Sequence, residues 1–270
     1  PQEPALYLYK KDDVTLLVNT STDDFLCAFS DVSIFYKLEA HLKEIFGLTK
    51  KEGPQFEYLN LRITQSKYGI SYDQTEHIID SIIHFFFPPD STERLKAVHT
   101  PFRTDSQFEQ DLSEQLPATG DQLRALEKRY GGSYSKIIGM LNHPYCWTRQ
   151  DLGFALSRLG KYTGVPNPAS FEGLYRIARY LATHRNRPVM YPRKNIQGFH
   201  TLRVDFDPPK FEEIQLPNGL LLIVDSDHAR DMRTRKSCHH LQALVHGVAL
   251  DWKHEQQRCV ALHSTDSEIR

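Results

Sequence analysis

The sequence has few cysteines and no long apolar run, and both shortages restrict the class of protein. Its 270 residues contain four cysteines, Cys27, Cys146, Cys238 and Cys259. They are too few and too scattered for a disulfide framework, so we expect buried thiols in a reducing compartment. No apolar run approaches the roughly 20 residues that a membrane helix needs, and the N-terminal residues lack a signal-peptide pattern. The sequence therefore predicts a soluble, intracellular protein without a membrane partner.

The two signs of charge are nearly balanced in number but are unevenly distributed. The formal net charge is −1, yet residues 1–120 hold 19 acidic and 11 basic residues, whereas residues 149–203 hold 10 basic and 2 acidic residues. Tyrosine and phenylalanine lie between the basic residues of the second stretch, a composition suited to binding phosphates with some stacking. A solvated basic face on a helical hairpin would have the same composition. The candidate nucleic-acid contacts are Arg149, Arg158, Lys161, Arg176 and Arg179.

Two adjacent carboxylates stand between two short apolar runs near the N-terminus. Residues 14–18 alternate at strand period and residues 25–29 form a second apolar run, while Asp23 and Asp24 lie in the turn between them. Adjacent carboxylates repel each other, so they need full solvation or a compensating cation. An exposed hairpin turn and a divalent-metal site are both open interpretations of this turn.

The next hundred residues indicate a helix, a second hairpin and a second helix. Residues 56–63 and 70–74 predict the two strands of the hairpin, and residues 78–86 predict a helix that Pro88 ends. The first helix is indicated by apolar residues at helical spacing between capping residues. These are Ile34, Leu38, Leu42 and Ile45, with Ser30 or Asp31 before them and Gly47 after them.

The second half of the sequence indicates two amphipathic helices and then a group of strands. Residues 152–159 and 171–181 each have an apolar stripe at helical spacing, and an antiparallel pair of such helices would carry the basic residues on its outer faces. Prolines at 208, 209 and 217 indicate a domain boundary. After it, residues 220–224 predict a strand that runs directly into Asp225, and residues 239–246 and 248–253 predict further strands.

Several of these segments resemble the reverse transcriptase of Ty1/copia-type retrotransposon Pol polyproteins. In that family a Tyr-x-Asp-Asp turn is followed by a helix, a Phe-Leu-Gly-Ile-x-Ile strand, a Gly-Ile-x-Leu-x-Gln strand and a helix leading to Thr-Pro. The corresponding segments here, in the same order, are Ser21-Thr22-Asp23-Asp24, Tyr58-Leu59-Asn60-Leu61-Arg62-Ile63, Gly69-Ile70-Ser71-Tyr72-Asp73-Gln74 and Thr100-Pro101. Departures from the pattern include Ser21 in place of Tyr and Asn60 in place of Gly.

The resemblance continues through the rest of the sequence into a ribonuclease H pattern. The Thr-Arg-Pro-Asp-Ile and Arg-x-Leu-Arg-Tyr-Leu elements of the family correspond to Thr148-Arg149-Gln150-Asp151-Leu152 and Arg176-Ile177-Ala178-Arg179-Tyr180-Leu181. The ribonuclease H opening Asp-x-Asp-Trp-Ala corresponds to Asp225-Ser226-Asp227-His228-Ala229, and its Ser-Ser-Thr-Glu-Ala-Glu to His263-Ser264-Thr265-Asp266-Ser267-Glu268. Gln150 and His228 depart from this pattern.

The resemblance implies an α+β fold in three parts. These are a partial reverse transcriptase palm (residues 1–87), a helical thumb and connection (88–207), and a truncated ribonuclease H-like α/β unit (208–270). It implies that Asp23 and Asp24 bind Mg²⁺ or Mn²⁺ for nucleotide addition, and that Asp225 and Glu268 bind it for hybrid cleavage. Two divalent metals about 3.5–4 Å apart stabilise the attacking and leaving oxygens of such reactions.

The implied partners are an RNA/DNA hybrid, a primer-template and the rest of the polyprotein, in the nucleus or in a cytoplasmic particle. We expect neither metal site to be complete in this segment, so that it is inactive in isolation. A degenerate or co-opted nucleic-acid-binding module without catalysis is the alternative. Asp227 and Asp266 are expected to lie outside the metal site. Zinc is not expected, because no short paired spacing joins Cys238, His239, His240, His254, Cys259 and His263.

Overall fold

The computed structural model describes residues 5–48, 53–89, 95–192, 201–205, 211–215, 220–227, 234–245 and 248–269. The chain divides into two compact units, residues 1–59 and 60–270. This division falls before the boundaries that the sequence predicts near residues 87 and 207, because helices and strands on either side of those points contact one another in the second unit. The proline-rich break at residues 208–209 and 217–219 lies outside the described residues.

The first unit contains an antiparallel sheet and one long helix. Strands β1 (Leu6–Lys11), β2 (Val14–Ser21) and β3 (Asp24–Phe29) are hydrogen-bonded in that order. Helix α1 (Val32–Phe46) follows, and then strand β4 (Gln55–Tyr58). Strands β2 and β3 and helix α1 confirm the sequence prediction, whereas β1 was not predicted.

Capping residues define both ends of α1. The Asp31 carboxylate accepts a hydrogen bond of 2.8 Å from the Ser33 N–H, and this hydrogen bond holds the pKa of Asp31 below its usual value. Gly47 has φ +64° and donates its N–H to the Lys43 carbonyl at 3.0 Å. A left-handed residue after the last turn is least costly as glycine. The helix therefore begins and ends where the sequence predicts, with Asp31 as the cap.

The strand predicted over residues 56–63 is interrupted by a turn. Leu59 and Asn60 both have left-handed backbone conformations, with φ +51° and +62°. The following strands are β5 (Leu61–Gln65) and β6 (Gly69–Asp73). Asparagine adopts this conformation more readily than most residues, which accounts for Asn60 where the Ty1/copia pattern has glycine. Apolar residues alternate over Phe56 and Tyr58 and then, in the opposite phase, over Leu59, Leu61 and Ile63. This change of phase is the signal of the turn in the sequence.

The second unit contains the remaining helices and strands. After a π-helical turn at Thr75–Ile79, the helices are α2 (Asp80–Phe86), α3 (Ser106–Glu114), α4 (Gly120–Tyr130), α5 (Tyr134–Trp147), α6 (Gly153–Gly160), α7 (Pro168–Thr183) and α8 (Ser264–Ile269). A 3₁₀ turn at Gln150–Leu152 leads into α6. The strands are β7 (Val189–Pro192), β8 (Thr201–Asp205), β9 (Phe211–Gln215), β10 (Leu220–Asp227), β11 (Cys238–Val245) and β12 (Val248–Gln256). No helix in the described ranges is long and apolar enough to cross a membrane.

Helix α7 lies at the centre of the apolar core, where it contacts α2, α3, α4, α5 and α6. Its first turn is fixed by a reciprocal cap, in which the Asn167 side chain accepts from the Ser170 N–H at 2.8 Å and the Asn167 N–H donates to Ser170 Oγ at 3.0 Å. Five apolar side chains of the helix are completely buried. These are Phe171, Leu174, Ile177, Ala178 and Leu181, as the predicted apolar stripe requires.

The C-terminal sheet packs against the helical part of the second unit. Strands β10, β11 and β12 are antiparallel neighbours in that order, which confirms the three predicted strands. The Trp252 indole N–H donates to the Tyr145 carbonyl at 2.8 Å, and the His254 backbone N–H donates to the Tyr145 hydroxyl at 3.1 Å. These contacts join β12 to the end of α5. Strands β8 and β9 form a separate antiparallel pair.

The four cysteines are free thiols, but they are not all buried. Cys238 is buried and Cys27 is partly buried, whereas Cys146 and Cys259 are exposed. The expectation of four buried thiols is therefore wrong for two of them. Cys146 lies on the exposed face of α5 and Cys259 follows the last strand, positions that spacing along the sequence does not distinguish.

A strand that the sequence did not predict extends the β5–β6 hairpin. Strand β7 pairs with β6 in antiparallel register, with Gly69 opposite Pro192 and Tyr72 opposite Val189. The Tyr72 and Tyr191 rings stack with centroids 5.9 Å apart. A Cβ on Gly69 would lie 2.0 Å from the Tyr191 carbonyl oxygen. The close approach of β7 therefore requires glycine at this position.

We predict that Gly69→Ala displaces β7 and destabilises the protein by about 1–3 kcal/mol, because the added methyl group meets backbone atoms that cannot rotate away. Urea denaturation would measure the loss, and limited proteolysis between residues 184 and 192 would report the displaced strand. Gly139→Ala is the matched control, since Gly139 lies in α5 with nothing within 4 Å of its added Cβ. Equal stability of the two variants would contradict the prediction.

Candidate functional site

The acidic turn of the first unit holds both of its carboxylates at the surface. Asp23 and Asp24 are exposed, and Asp24 pairs with Ser21 across the β2–β3 turn. Thr22 has φ +53°, the left-handed conformation that tightens the turn. Burial raises the pKa of Tyr58, and the charge of Asp24 raises it further. The turn thus presents two adjacent carboxylates at the surface. The neutral hydroxyl of Tyr58 lies close to Asp24.

The second pair of predicted carboxylates lies on β10 and α8. Asp225 is exposed near the end of β10, opposite His240 of β11. Glu268 lies in the last turn of α8, and its side chain is outside the described part of the chain. The hydroxyls of Ser226 and Ser267 are 2.9 Å apart. Because these serines adjoin Asp225 and Glu268 in sequence, their contact brings the backbones of the two acidic positions close together.

Two further acids in this region have structural partners. The Asp227 carboxylate accepts from the Cys238 N–H at 2.5 Å, at the open end of the β10–β11 pair. The Asp266 carboxylate accepts from the Leu262 N–H at 2.8 Å, ahead of α8. Both carboxylates satisfy backbone N–H groups that would otherwise lack a protein partner. Asp227 and Asp266 therefore each have a hydrogen-bonding role within the fold.

No group of three or more histidine, cysteine, aspartate or glutamate side chains forms a metal-binding set among the residues that the structure describes. Three of the histidines considered for zinc lie on neighbouring strands of the C-terminal sheet, His239 and His240 on β11 and His254 on β12. His240 and His254 face each other across β11 and β12, with ring centroids 5.8 Å apart. His239 is 3.3 Å from the Glu255 carboxylate. Mg²⁺ is usually held by one or two protein carboxylates plus substrate phosphates, so both acidic pairs retain ligands of the type that it uses.

Two of the five predicted nucleic-acid contacts are buried in the protein. Arg149 is 1% exposed, and its guanidinium donates to Asp151 at 3.0 and 2.8 Å and to the His184 carbonyl at 3.0 Å. Arg158 is 7% exposed and forms an ion pair with Glu109 of α3. Assigning Arg149 and Arg158 to a nucleic-acid surface is therefore wrong, because acidic partners from the fold already occupy both cations in the interior.

The other three predicted contacts are partly exposed. Lys161 follows α6, while Arg176 and Arg179 lie one turn apart on α7. Arg176 donates to the Thr100 carbonyl and hydroxyl at 3.1 and 2.9 Å. Arg179 donates twice to the Lys96 carbonyl, at 3.0 and 2.6 Å. The structure thus brings the Thr-Pro element and the Arg-x-x-Arg element together, although they lie 76 residues apart in sequence.

Two further motif residues, Gln74 and Thr148, contact each other in the core. The sequence analysis did not treat either of them as functional. Gln74 is 1% exposed, and its amide oxygen accepts from the Thr148 hydroxyl at 3.0 Å. Its amide nitrogen is 3.2 Å from His143 Nδ1. Both residues belong to segments quoted for the resemblance, at the end of the Gly-Ile-x-Leu-x-Gln strand and the start of the Thr-Arg element. The sequence signal for this contact was the presence of both polar residues in segments that match the family pattern.

An open cleft of about 460 Å³ lies between α2 and α7. Its lining is mostly apolar, and its charged groups include Asp80 and Arg185, which form an ion pair with each other. His84 lies at the same cleft. Since the two opposite charges neutralise each other, the cleft presents little net charge to a ligand.

The comparisons with known proteins agree with a retrotransposon origin. The chain is 21% identical to the retrovirus-related Pol polyprotein from transposon TNT 1-94 of Nicotiana tabacum, over 98% of the chain and 18% of that protein. It is 19% identical to the Pol polyprotein from transposon RE2 of Arabidopsis thaliana, over 99% of the chain and 16% of that protein. The chain thus spans less than a fifth of the length of these relatives.

A shorter relative covers half of the chain. It is the secreted RxLR effector protein 161 of Plasmopara viticola, 24% identical over 135 residues, which are 50% of this chain and 80% of that protein. No protein-family model matches the chain, and no solved structure matches it. The relatives that extend over nearly the whole chain are retrovirus-related Pol polyproteins from plant transposons.

We predict that Asp151→Asn destabilises the protein by about 3–5 kcal/mol, because it removes the carboxylate that compensates the buried Arg149 cation. Burial raises the pKa of Asp151, but the hydrogen bonds and charge of Arg149, together with Tyr180 and Arg187, outweigh burial and lower it overall. Urea denaturation would measure the loss. Asp121→Asn is the control, since Asp121 forms an exposed pair with Arg124, and such pairs contribute at most about 1 kcal/mol. Similar losses in both variants would refute the prediction.

We also predict that stability falls as the pH is lowered from about 6.5 toward 4. Burial, together with the charge of the nearby His240, lowers the pKa of His254 to about 4. The unfolded chain, with an ordinary histidine pKa near 6.5, therefore binds a proton in this range that the folded protein does not. Thermal melting at pH 5 and pH 7 would measure the effect. His254→Phe should reduce it and His84→Phe, on the exposed side of α2, should not; a pH dependence that survives His254→Phe would disprove the assignment.

Proposed function

We propose that the chain is the segment of a retrotransposon Pol polyprotein that runs from the reverse transcriptase palm into ribonuclease H. In this proposal it takes part in RNA-directed DNA synthesis and RNA/DNA hybrid cleavage by two-metal phosphoryl transfer. The observation that carries it is similarity to Pol polyproteins over 98–99% of the chain. The order of the sequence motifs, from the acidic turn to the acidic strand end, supports the finer assignment.

The chemistry assigned to each acidic pair follows from its side chains. Asp23 and Asp24 are exposed carboxylates in a tight turn, and Mg²⁺ or Mn²⁺ bound there would neutralise the phosphates of an incoming nucleotide. Asp225 is exposed at a strand end, close to the helix that carries Glu268. Bound metal at that point would supply a nucleophilic water and stabilise the leaving oxygen of a cleaved RNA strand. Two carboxylates at each place suit a site that further residues of the polyprotein complete.

The alternative is a co-opted or degenerate module that binds nucleic acid without catalysis. It is favoured by the departures of the sequence from the Ty1/copia pattern at Ser21, Asn60, Gln150 and His228. The two functions differ in one measurable property. Catalysis requires turnover that depends on the carboxylates and on Mg²⁺, whereas the alternative requires only salt-dependent binding.

We predict that, in the polyprotein that contains this chain, Asp23→Asn lowers DNA synthesis by about 100-fold or more, as expected for removing a group that stabilises transition-state charge. Primer extension with Mg²⁺ would measure it. Asp13→Asn is the matched control, because Asp12 and Asp13 form the similar β1–β2 turn, where Asp12 also has φ +53°. Full synthesis by Asp23→Asn would overturn the polymerase assignment.

The same preparation tests the ribonuclease H assignment separately. Asp225→Asn should lower hybrid cleavage by a similar factor and leave primer extension intact, because it removes a ligand from the second metal site only. Asp251→Asn, an exposed aspartate on β12, is the control. Undiminished cleavage by Asp225→Asn would refute this part of the proposal, and absence of both activities in the unaltered polyprotein would favour the binding module.

A further inference from the structure

Two arginines on the surface side of α7 are held by neutral oxygen atoms instead of carboxylates. Arg176 binds the carbonyl and hydroxyl oxygens of Thr100, and Arg179 binds the carbonyl oxygen of Lys96. Other arginines of this unit bind carboxylates directly, as in the pairs of Arg149 with Asp151 and of Arg185 with Asp80. Arg176 and Arg179 instead make these hydrogen bonds to uncharged oxygens at a partly exposed surface.

The segment that binds these arginines is itself anchored to the core. Residues 95–102, here called the anchoring segment, run alongside α7. The Val98 N–H donates to the Thr183 hydroxyl at 3.1 Å, and the side chains of Val98 and Phe102 are 7% and 4% exposed. Its carbonyl oxygens are thus fixed points. Because each arginine makes two hydrogen bonds to such points, its guanidinium is oriented before any ligand arrives.

Like charges are concentrated around Arg176. Burial lowers the pKa of Arg176, and the neighbouring cations Arg103 and Arg179 lower it further. Asp105 and Glu172 oppose this effect but do not reverse it. An anion at this surface would relieve the repulsion between the guanidinium groups, whereas in its absence they are held together by the carbonyl contacts.

We propose that Arg176, Arg179 and Lys96 form a binding site for the phosphates of a nucleic-acid backbone. A guanidinium has five N–H donors in a planar fork that matches phosphate oxygens. The contacts to the anchoring segment use two donors of each arginine, which leaves donors for a ligand. Residues three apart on a helix are separated by about 4.5 Å along its axis, so Arg176 and Arg179 lie side by side along α7, and the exposed Lys96 belongs to the segment that Arg179 binds.

The inference rests on the proposed function for the identity of the ligand. It also reduces the number of residues assigned to the nucleic-acid interface. Of the five basic residues that the sequence predicts, only Arg176 and Arg179 belong to this site, together with Lys96, which lies outside the basic stretch. The competing interpretation is that the two arginines only fasten the anchoring segment to α7. That anchoring role requires the hydrogen bonds of the two arginines, but it does not require them to bind phosphates.

The two roles are separable by the salt dependence of binding. Fluorescence anisotropy of the 270-residue chain with an RNA/DNA hybrid oligonucleotide, at several salt concentrations, gives the slope of log K against log salt. Each phosphate contact adds about 0.9 to that slope. We expect Arg176→Gln, Arg179→Gln and Lys96→Gln each to lower its magnitude by about 0.9. Arg124→Gln removes an exposed arginine of α4 and should not change it.

Two further variants guard against loss of folding. Thr100→Ala removes one acceptor of Arg176 without altering charge, so it should weaken the anchoring segment and leave the salt slope intact. Lys96→Gln changes an exposed side chain, so this variant should melt like the unaltered protein. Melting temperatures of all variants would identify any structural effect on binding.

Each outcome bears on the proposal. Lower slopes in the three variants, with normal melting of Lys96→Gln, would support the phosphate site. Slopes equal to that of Arg124→Gln, in a chain that binds the hybrid, would overturn the site and leave the proposed function standing. A chain that does not bind the hybrid at low salt would overturn the site and count against the nucleic-acid partner as well, whereas catalysis is tested independently through Asp23 and Asp225.

Discussion

A buried ion pair between Arg149 and Asp151, both in the turn before α6, is hydrogen-bonded to the end of α7. Arg149 binds the His184 carbonyl, and the Tyr180 hydroxyl donates to Asp151 at 2.6 Å. A buried cation that loses its partner costs several kcal/mol, so Asp151 must stay beside Arg149. The hydrogen bonds to His184 and from Tyr180 then hold this turn against the end of α7, whose apolar residues lie in the core.

The surface side of α7 acquires its properties from this arrangement. With the apolar residues of the helix committed to the core, Arg176 and Arg179 point toward the anchoring segment and meet backbone oxygens. Arginines of the same basic stretch thus occupy two different environments. Arg149 stabilises the interior by pairing with a carboxylate, whereas Arg176 and Arg179 remain partly exposed at the surface, where we propose that they bind phosphates.

Local elements could be predicted where the chemistry is local. The caps of α1 and the apolar stripe of α7 depend on residues within a few turns, and both are confirmed. The turn at Leu59 and Asn60 was missed because two alternating apolar runs of opposite phase meet there and resemble one continuous strand. Strand β7 was missed because its only reason to be extended is its partner β6, which lies more than a hundred residues earlier. For the candidate site, the charged residues could be identified from the sequence, but the burial of Arg149 and Arg158 could not.

The sequence by itself determined the order of the motifs, the positions of the carboxylates at Asp23, Asp24 and Asp225, and the concentration of basic residues in one stretch. Only the tertiary structure decided that Arg149 and Arg158 are interior ion pairs and that Lys96 lies beside Arg179. The reason is that a side chain's charge belongs to its residue type, while its solvent exposure and partners depend on contacts between segments far apart in the chain.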